Sequence, residues 1–268
     1  MTNSRLHAPE NAADNAKIQV LQLENEHLKK KVQEYESESL SNHNVLHDWI
    51  NTYETGPGVH KWVPYLDAYH RHFNRFRSQD VITMVEVGVQ SGGSIQMWQA
   101  YFGKDKLRYY GVDVNSATKQ FETENVKISI GDQENPEFWS IFKKEVPTPV
   151  DIFIDDGGHK MHQQTVTFDE MFWHVRDGGV YLVEDLHTSY WKGYGGGYHK
   201  PTTFIERSKS LIDTINAWHS EDAEKLKVDD LTQNIRGLHF YDSMLFIDKL
   251  VTKKMPNIKK GDKWIPVE

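Results

Sequence analysis

Two short acidic clusters, each closing an apolar run, constrain this chain more than any other feature. The first reads Val150-Asp151-Ile152-Phe153-Ile154-Asp155-Asp156-Gly157-Gly158-His159, and the second Gly179-Val180-Tyr181-Leu182-Val183-Glu184-Asp185-Leu186-His187-Thr188. Between them polar and apolar residues, Val166, Met171, Phe172 and Val175 among the latter, recur at helical spacing over Met161 to Arg176, and Asp177-Gly178-Gly179 reads as the stop. Strand, helix, glycine stop and strand spell a parallel βαβ unit. Its strands run the same way, so both acidic clusters fall at carboxyl ends. That edge is where open α/β sheets bind ligands.

The flanking segments extend the same grammar. Val81 to Gly88 predicts a buried strand, and Val89-Gln90-Ser91-Gly92-Gly93-Ser94 a turn into a helix over Ile95 to Tyr101. The turn is similar to the glycine-rich loop of nucleotide-binding folds, except that Gln90 replaces the glycine that admits a pyrophosphate, which suits a cofactor without phosphates. Arg108 to Asp113 is the next strand; its carboxylate can accept from ribose hydroxyls, or serve as a cap or Asx turn before Asn115-Ser116. Val126 to Ile130 ends in Gly131-Asp132-Gln133, and Asn135 to Lys144 is a helix entered through Pro136. Ser189 to His199 sets four aromatics on a glycine-rich loop, expected as a lid. Thr203 to Trp218 has helical spacing, and Ile235 to Tyr241 turns at Asp242-Ser243 into Met244 to Asp248 as a closing antiparallel hairpin. Lys61 to Phe76, rich in aromatics and histidine, predicts a helix beside the sheet or over its ligand edge.

The amino terminus follows different rules. Ile18, Asn25 and Val32 take one heptad seam position, and Leu21, Leu28 and Tyr35 the other, with Glu24 before Lys29 and Lys31 before Glu36 on the flanks. That pattern predicts a parallel self-associating coiled coil, its register set by the seam asparagine; the alternative is a lone solvated helix or one packed on the domain surface. Residues 1–43 therefore read as an arm and coiled-coil helix, residues 44–268 as the main domain, and Ser37 to Asn44 as the hinge. A formal charge of −8 argues against a nucleic-acid partner. The absence of cysteine excludes thiol catalysis and cysteine-based zinc sites. The polar start and the lack of a long apolar run predict no membrane partner and a cytoplasmic protein.

The expected fold is α/β: a Rossmann-like, doubly wound, seven-stranded sheet of the class I methyltransferase kind, with a C-terminal antiparallel hairpin, preceded by the coiled-coil helix. Asp156, Glu184 and Asp185 should meet at two neighbouring strand ends, with no Lys or Arg in either motif to balance them. Such a cluster is costly unless a cation or protons occupy it, and oxygen donors suit Mg²⁺ better than zinc. His159, three residues after Asp156, is placed to act as a general base.

These motifs resemble the macrocin/mycinamicin type of sugar O-methyltransferases. The resemblance rests on Val85-Glu86-Val87-Gly88-Val89, Gly131-Asp132-Gln133, Ile154 to His159, Val183 to Trp191 and Phe240-Tyr241-Asp242, and spans about Trp49 to Lys249. It implies a Mg²⁺ held by Asp156, Glu184 and Asp185, with His159 as base. It also implies a pocket for S-adenosylmethionine lined by Glu86, Gly88, Asp113, Asp132 and Asp155, which Ser91 of the turn joins as a candidate. Where the family has Gly-Thr-Asp-Lys before its first helix, this chain reads Glu54-Thr55-Gly56-Pro57-Gly58-Val59-His60-Lys61; Gly158 stands where Ser is usual. The implied acceptor is a sugar hydroxyl, free, nucleotide-linked or in a glycan. The alternatives are a catechol-like diol as acceptor, or a coiled-coil adaptor carrying a degenerate methyltransferase domain.

Overall fold

Burial on both faces explains why the strands read as continuous apolar runs rather than alternating ones. The computed structural model describes residues 17–31, 43–146 and 149–265. The chain divides into two units, Met1–Val45 and Leu46–Glu268. In the first, α1 covers residues 17–31 and exposes every side chain, the seam positions Ile18, Leu21, Asn25 and Leu28 included. Val32, Tyr35, Glu36 and hinge residues 37–42 lie outside the described residues.

Beyond α2 (Val45–Thr52) and α3 (Val63–Phe73), a Rossmann-like alternation begins. It runs β1 (Ile82–Val87), α4 (Gly93–Phe102), β2 (Leu107–Asp113), β3 (Val126–Ile130), α5 (Pro136–Glu145), β4 (Val150–Asp155), α6 (Met161–Met171) and β5 (Val175–Val183). The chain continues through α7 (Phe204–Asn216) and α8 (Asp230–Asn234) to the hairpin β6 (Ile235–Tyr241) and β7 (Met244–Lys249). Local chemistry sets the helix starts. Asn135 accepts the Glu137 N–H ahead of α5, whose first turn holds Pro136, and Thr203 caps α7 through Glu206 N–H.

The sheet has seven strands in the order β3-β2-β1-β4-β5-β7-β6. β3 through β5 are parallel, β7 runs antiparallel to β5, and β6 antiparallel to β7. The order reverses between β1 and β4, the switch point at which such sheets open a crevice. One face packs Trp139, Phe142, Phe168 and Phe172 around Phe153 and Tyr181, whose rings stack at 4.8 Å. On α3 and α4, Tyr69, Phe73 and Trp98 form a second aromatic cluster, with Tyr69 edge-on to Trp98 at 5.0 Å. Burying one such side chain is worth roughly 1.5–3 kcal/mol. Among the described residues, no helix is long and apolar enough to cross a membrane.

One expected boundary moves. Asp177-Gly178-Gly179 does not stop α6; it lies inside β5, and α6 ends earlier, through a 3₁₀ turn at Phe172–His174. Val150 pairs with Val175, but the next pair is Ile152 with Val180, so the glycine pair absorbs an irregularity in the ladder. Arg176 Nε donates to Asp151 Oδ1 at 2.6 Å and ties the irregular stretch to β4.

Candidate functional site

The loops that follow β1 to β5 converge at the carboxyl edge and enclose a cavity of about 450 Å³. Its walls include Gly88, Ser91, Asp113 and Asp132 on one side, and Asp156, His159, Glu184 and Asp185 on the other. Glu86 and Asp155 are not in the walls. They lie behind them, almost fully buried: Glu86 Oε2 accepts from Ser94 (2.8 Å) and Tyr109 (2.6 Å), and Asp155 Oδ1 accepts from Gln133 Nε2 (2.9 Å).

The first half of the cavity is built from backbone. Gly88 has φ +92°, and a Cβ there would lie 1.9 Å from the Asp156 carbonyl oxygen. Only glycine lets β1 and β4 approach so closely. Gln90, the residue that breaks the glycine fingerprint, keeps a left-handed conformation at φ 48°, and its N–H donates to Asp113 Oδ2 at 2.8 Å. Asp113 Oδ1 accepts from Asn115 N–H at 2.8 Å, which is the Asx turn weighed as an alternative role. The carboxylate is thus fixed and still faces the cavity. Gln133 orders the floor, donating to Asp155 and accepting from Gly158 N–H at 2.8 Å.

The second half holds the charge. Lys61 Nζ stands 2.5 Å from Asp156 Oδ2 and 3.0 Å from Glu184 Oε2, with Glu86 Oε1 at 3.7 Å. The balancing cation missing from both acidic motifs therefore comes from the segment ahead of α3. Tyr69 donates to Glu184 Oε1 at 2.6 Å and Tyr65 to Asp185 Oδ1 at 2.9 Å. These tyrosines, four apart on one helix face, hold two consecutive acids.

One ammonium among several carboxylates leaves an excess of negative charge. Burial pushes the Glu184 carboxyl well up, the neighbouring Asp156 adds to the rise, and Lys61 opposes it. Asp156 is likewise raised by burial against the pull of Lys61. Burial alone would lower Lys61, but Asp156 and Glu184 carry it well above its usual range, so it stays an ammonium. Behind the wall, burial raises Asp155 to about 6.

His159 Nε2 lies 3.5 Å from Asp185 Oδ2 and 4.0 Å from Asp156 Oδ1. Burial lowers its pKa, with Asp185 opposing, so the ring is biased toward the neutral form that accepts a proton. Its buried Nδ1 has no partner. One ligand atom from each of Asp156, His159 and Asp185 lies within 4.8 Å of the others. Clustered carboxylate oxygens with surplus negative charge suit a hard divalent cation such as Mg²⁺. A second cluster, His72, His239 and Asp248, lies on α3, β6 and β7. It is internally satisfied: His239 meets Asp248 at 2.9 Å, His72 meets Tyr241 at 2.9 Å, and Arg75 pairs with Asp248 at 3.0 Å.

The aromatic loop expected as a lid does not line this cavity. Gly197 N–H bonds to Ser189 O (2.8 Å) and Gly196 N–H to Trp191 O (2.9 Å), and the folded-back loop lines a separate groove through Tyr194 and His199. Neither acidic motif announces Lys61, Tyr65, Tyr69 or Gln133, whose roles appear only in the folded site. The i, i+4 spacing of the tyrosines was the one usable signal.

No protein-family model matches the chain. It is 33% identical over 201 residues to mycinamicin VI 2''-O-methyltransferase of Micromonospora griseorubida, covering 71% of this chain and 48% of that protein. Demethylmacrocin O-methyltransferase of Streptomyces fradiae is 30% identical over 206 residues, covering 73% and 50%. The chain thus spans about half the length of the curated relatives it matches. Among solved structures, MycE methyltransferase of the mycinamycin biosynthetic pathway, in complex with Mg, SAH and mycinamycin VI, superposes with a TM-score of 0.65 at 31% identity. The match covers 78% of this chain and 53% of that one.

Proposed function

Since the chain belongs, over the matched region, to the macrocin/mycinamicin-type sugar O-methyltransferase family, we propose that it transfers the methyl group of S-adenosylmethionine to a sugar hydroxyl with the help of Mg²⁺. One observation carries the reading: Asp156, His159, Glu184 and Asp185, from two neighbouring strand ends, face the same cavity as Gly88, Asp113 and Asp132. The donor would lie along the β1–β3 loops, its ribose hydroxyls within reach of the Asp113 carboxylate and no phosphate needing the space that Gln90 fills. Asp156, Glu184 and Asp185 would hold the metal, which when bound stabilises an alkoxide developing on the acceptor oxygen. His159 takes the hydroxyl proton as that oxygen accepts the methyl group and the carbon–sulfur bond breaks. Tyr65 and Tyr69 keep the two consecutive carboxylates aimed, so little reorganisation is needed during transfer.

The test is transfer of labelled methyl from S-adenosylmethionine to a panel of rhamnosides and other glycosides, read by mass spectrometry. Labelled product should appear with Mg²⁺, vanish with excess chelator and return on re-addition. Full transfer in chelator would remove the metal from the mechanism. Methylation of catechols alone would remove the sugar, and calorimetry showing no S-adenosylmethionine binding would favour an adaptor.

A further inference from the structure

Lys61 is the buried charge that the mechanism leaves without a task. Its side chain is 5% exposed, and its ammonium bridges Asp156 Oδ2 and Glu184 Oε2. Tyr69 holds the other Glu184 oxygen, so this carboxylate cannot swing toward a new partner without giving up a buried hydrogen bond. A magnesium ion sits about 2.0–2.1 Å from its oxygen ligands. An ion bridging the same two oxygens would therefore stand within about 4 Å of Nζ, since that nitrogen is itself 2.5 and 3.0 Å from them. A dication and an ammonium that close, in a site shielded from water, repel strongly.

We propose that Lys61 competes with the divalent cation for the Asp156–Glu184 pair, so that loading the metal centre requires the ammonium to withdraw and thereby moves the segment bearing His60 and Trp62. This rests on the metal-dependent reading above and adds a control to it. Residues 53–62 form no helix or strand. The segment is pinned at Tyr53 OH to Pro57 O (2.6 Å) and Gly93 N–H to Gly58 O (3.1 Å), while His60, Lys61 and Trp62 line the cavity itself. Trp62 is 55% exposed at the start of α3. Withdrawal of the lysine would thus be transmitted directly to its cavity-lining neighbours His60 and Trp62. A cation held only by Asp156 Oδ1, Asp185 and His159 would leave Lys61 in place, and that is the rival outcome.

Calorimetric titration of the chelator-treated full chain with Mg²⁺, and with Mn²⁺ as a second probe, separates the two. Lys61→Met removes the competitor and should tighten binding tenfold or more, while Lys61→Arg keeps the charge and should not tighten it. Hydrogen–deuterium exchange on the wild-type protein gives a readout independent of any variant: amides of 53–62 should exchange faster when Mg²⁺ is added. Unchanged or weaker affinity in Lys61→Met, or exchange in 53–62 that ignores Mg²⁺ while the ion binds, would overturn the competition. Absence of Mg²⁺ and Mn²⁺ binding by every form would overturn the metal-dependent function itself.

Discussion

Of the non-glycine residues that hold left-handed backbone among the described residues, Gln90 (φ 48°), His159 (φ 56°) and Asp185 (φ 55°) line the cavity at the carboxyl edge, while His199 and Ser243 lie outside it. Such conformations cost energy and persist where the surroundings enforce them, which is characteristic of functional sites. At Asp185 the strain and the charge can be separated. Asn tolerates the left-handed region and can still accept the Tyr65 hydroxyl, so Asp185→Asn should change stability by no more than about 1 kcal/mol. Mg²⁺ affinity measured by calorimetry should nonetheless fall steeply; retention of wild-type affinity would remove Asp185 from the ligand set. For His159, replacement by Ala should lower turnover about 10²–10⁴-fold, the usual worth of a general base. The dissociation constant for S-adenosylmethionine should stay unchanged, and an unchanged turnover would dismiss His159 as base.

Among the elements, the close passage of β1 and β4 gives the sharpest prediction. Gly88→Ala would place a methyl group 1.9 Å from the Asp156 carbonyl oxygen, on a backbone with φ +92°. The strand ends must separate, costing about 3 kcal/mol or more, and S-adenosylmethionine binding should be lost. A variant with wild-type denaturation midpoint and cofactor affinity would refute this. The seven strand segments, the closing hairpin and the carboxyl-edge placement of the acids were legible because most strands are contiguous apolar runs bounded by turn residues. Lys61 was not legible as a partner of Asp156, since no local pattern reports a contact across ninety-five positions. The glycine pair after α6 misled for a related reason: glycine marks a helix stop and a strand irregularity with the same letter. The position of the aromatic loop away from the cavity was not legible either, because the backbone hydrogen bonds that fold it back on itself are invisible in composition.

On the scale of the whole molecule, the chain combines the unit that carries the cavity with an amino-terminal helix whose apolar seam positions are solvent-exposed, Leu21 at 63% and Leu28 at 59%. Exposed apolar seam positions of this kind are what a partner helix buries, and we propose that a second copy of the chain covers them. Removing residues 1–42 should therefore lower the oligomeric mass seen by light scattering, while Mg²⁺ and S-adenosylmethionine binding persist. An unchanged mass would end the coiled-coil expectation. The placement of every cavity loop at one rim of the sheet has a practical corollary. The opposite rim, at turns such as Gly103–Lys106 between α4 and β2, carries none of the cavity's walls. A reporter, surface tether or foreign loop spliced in there should leave turnover intact, whereas the same graft at 131–135 should silence it.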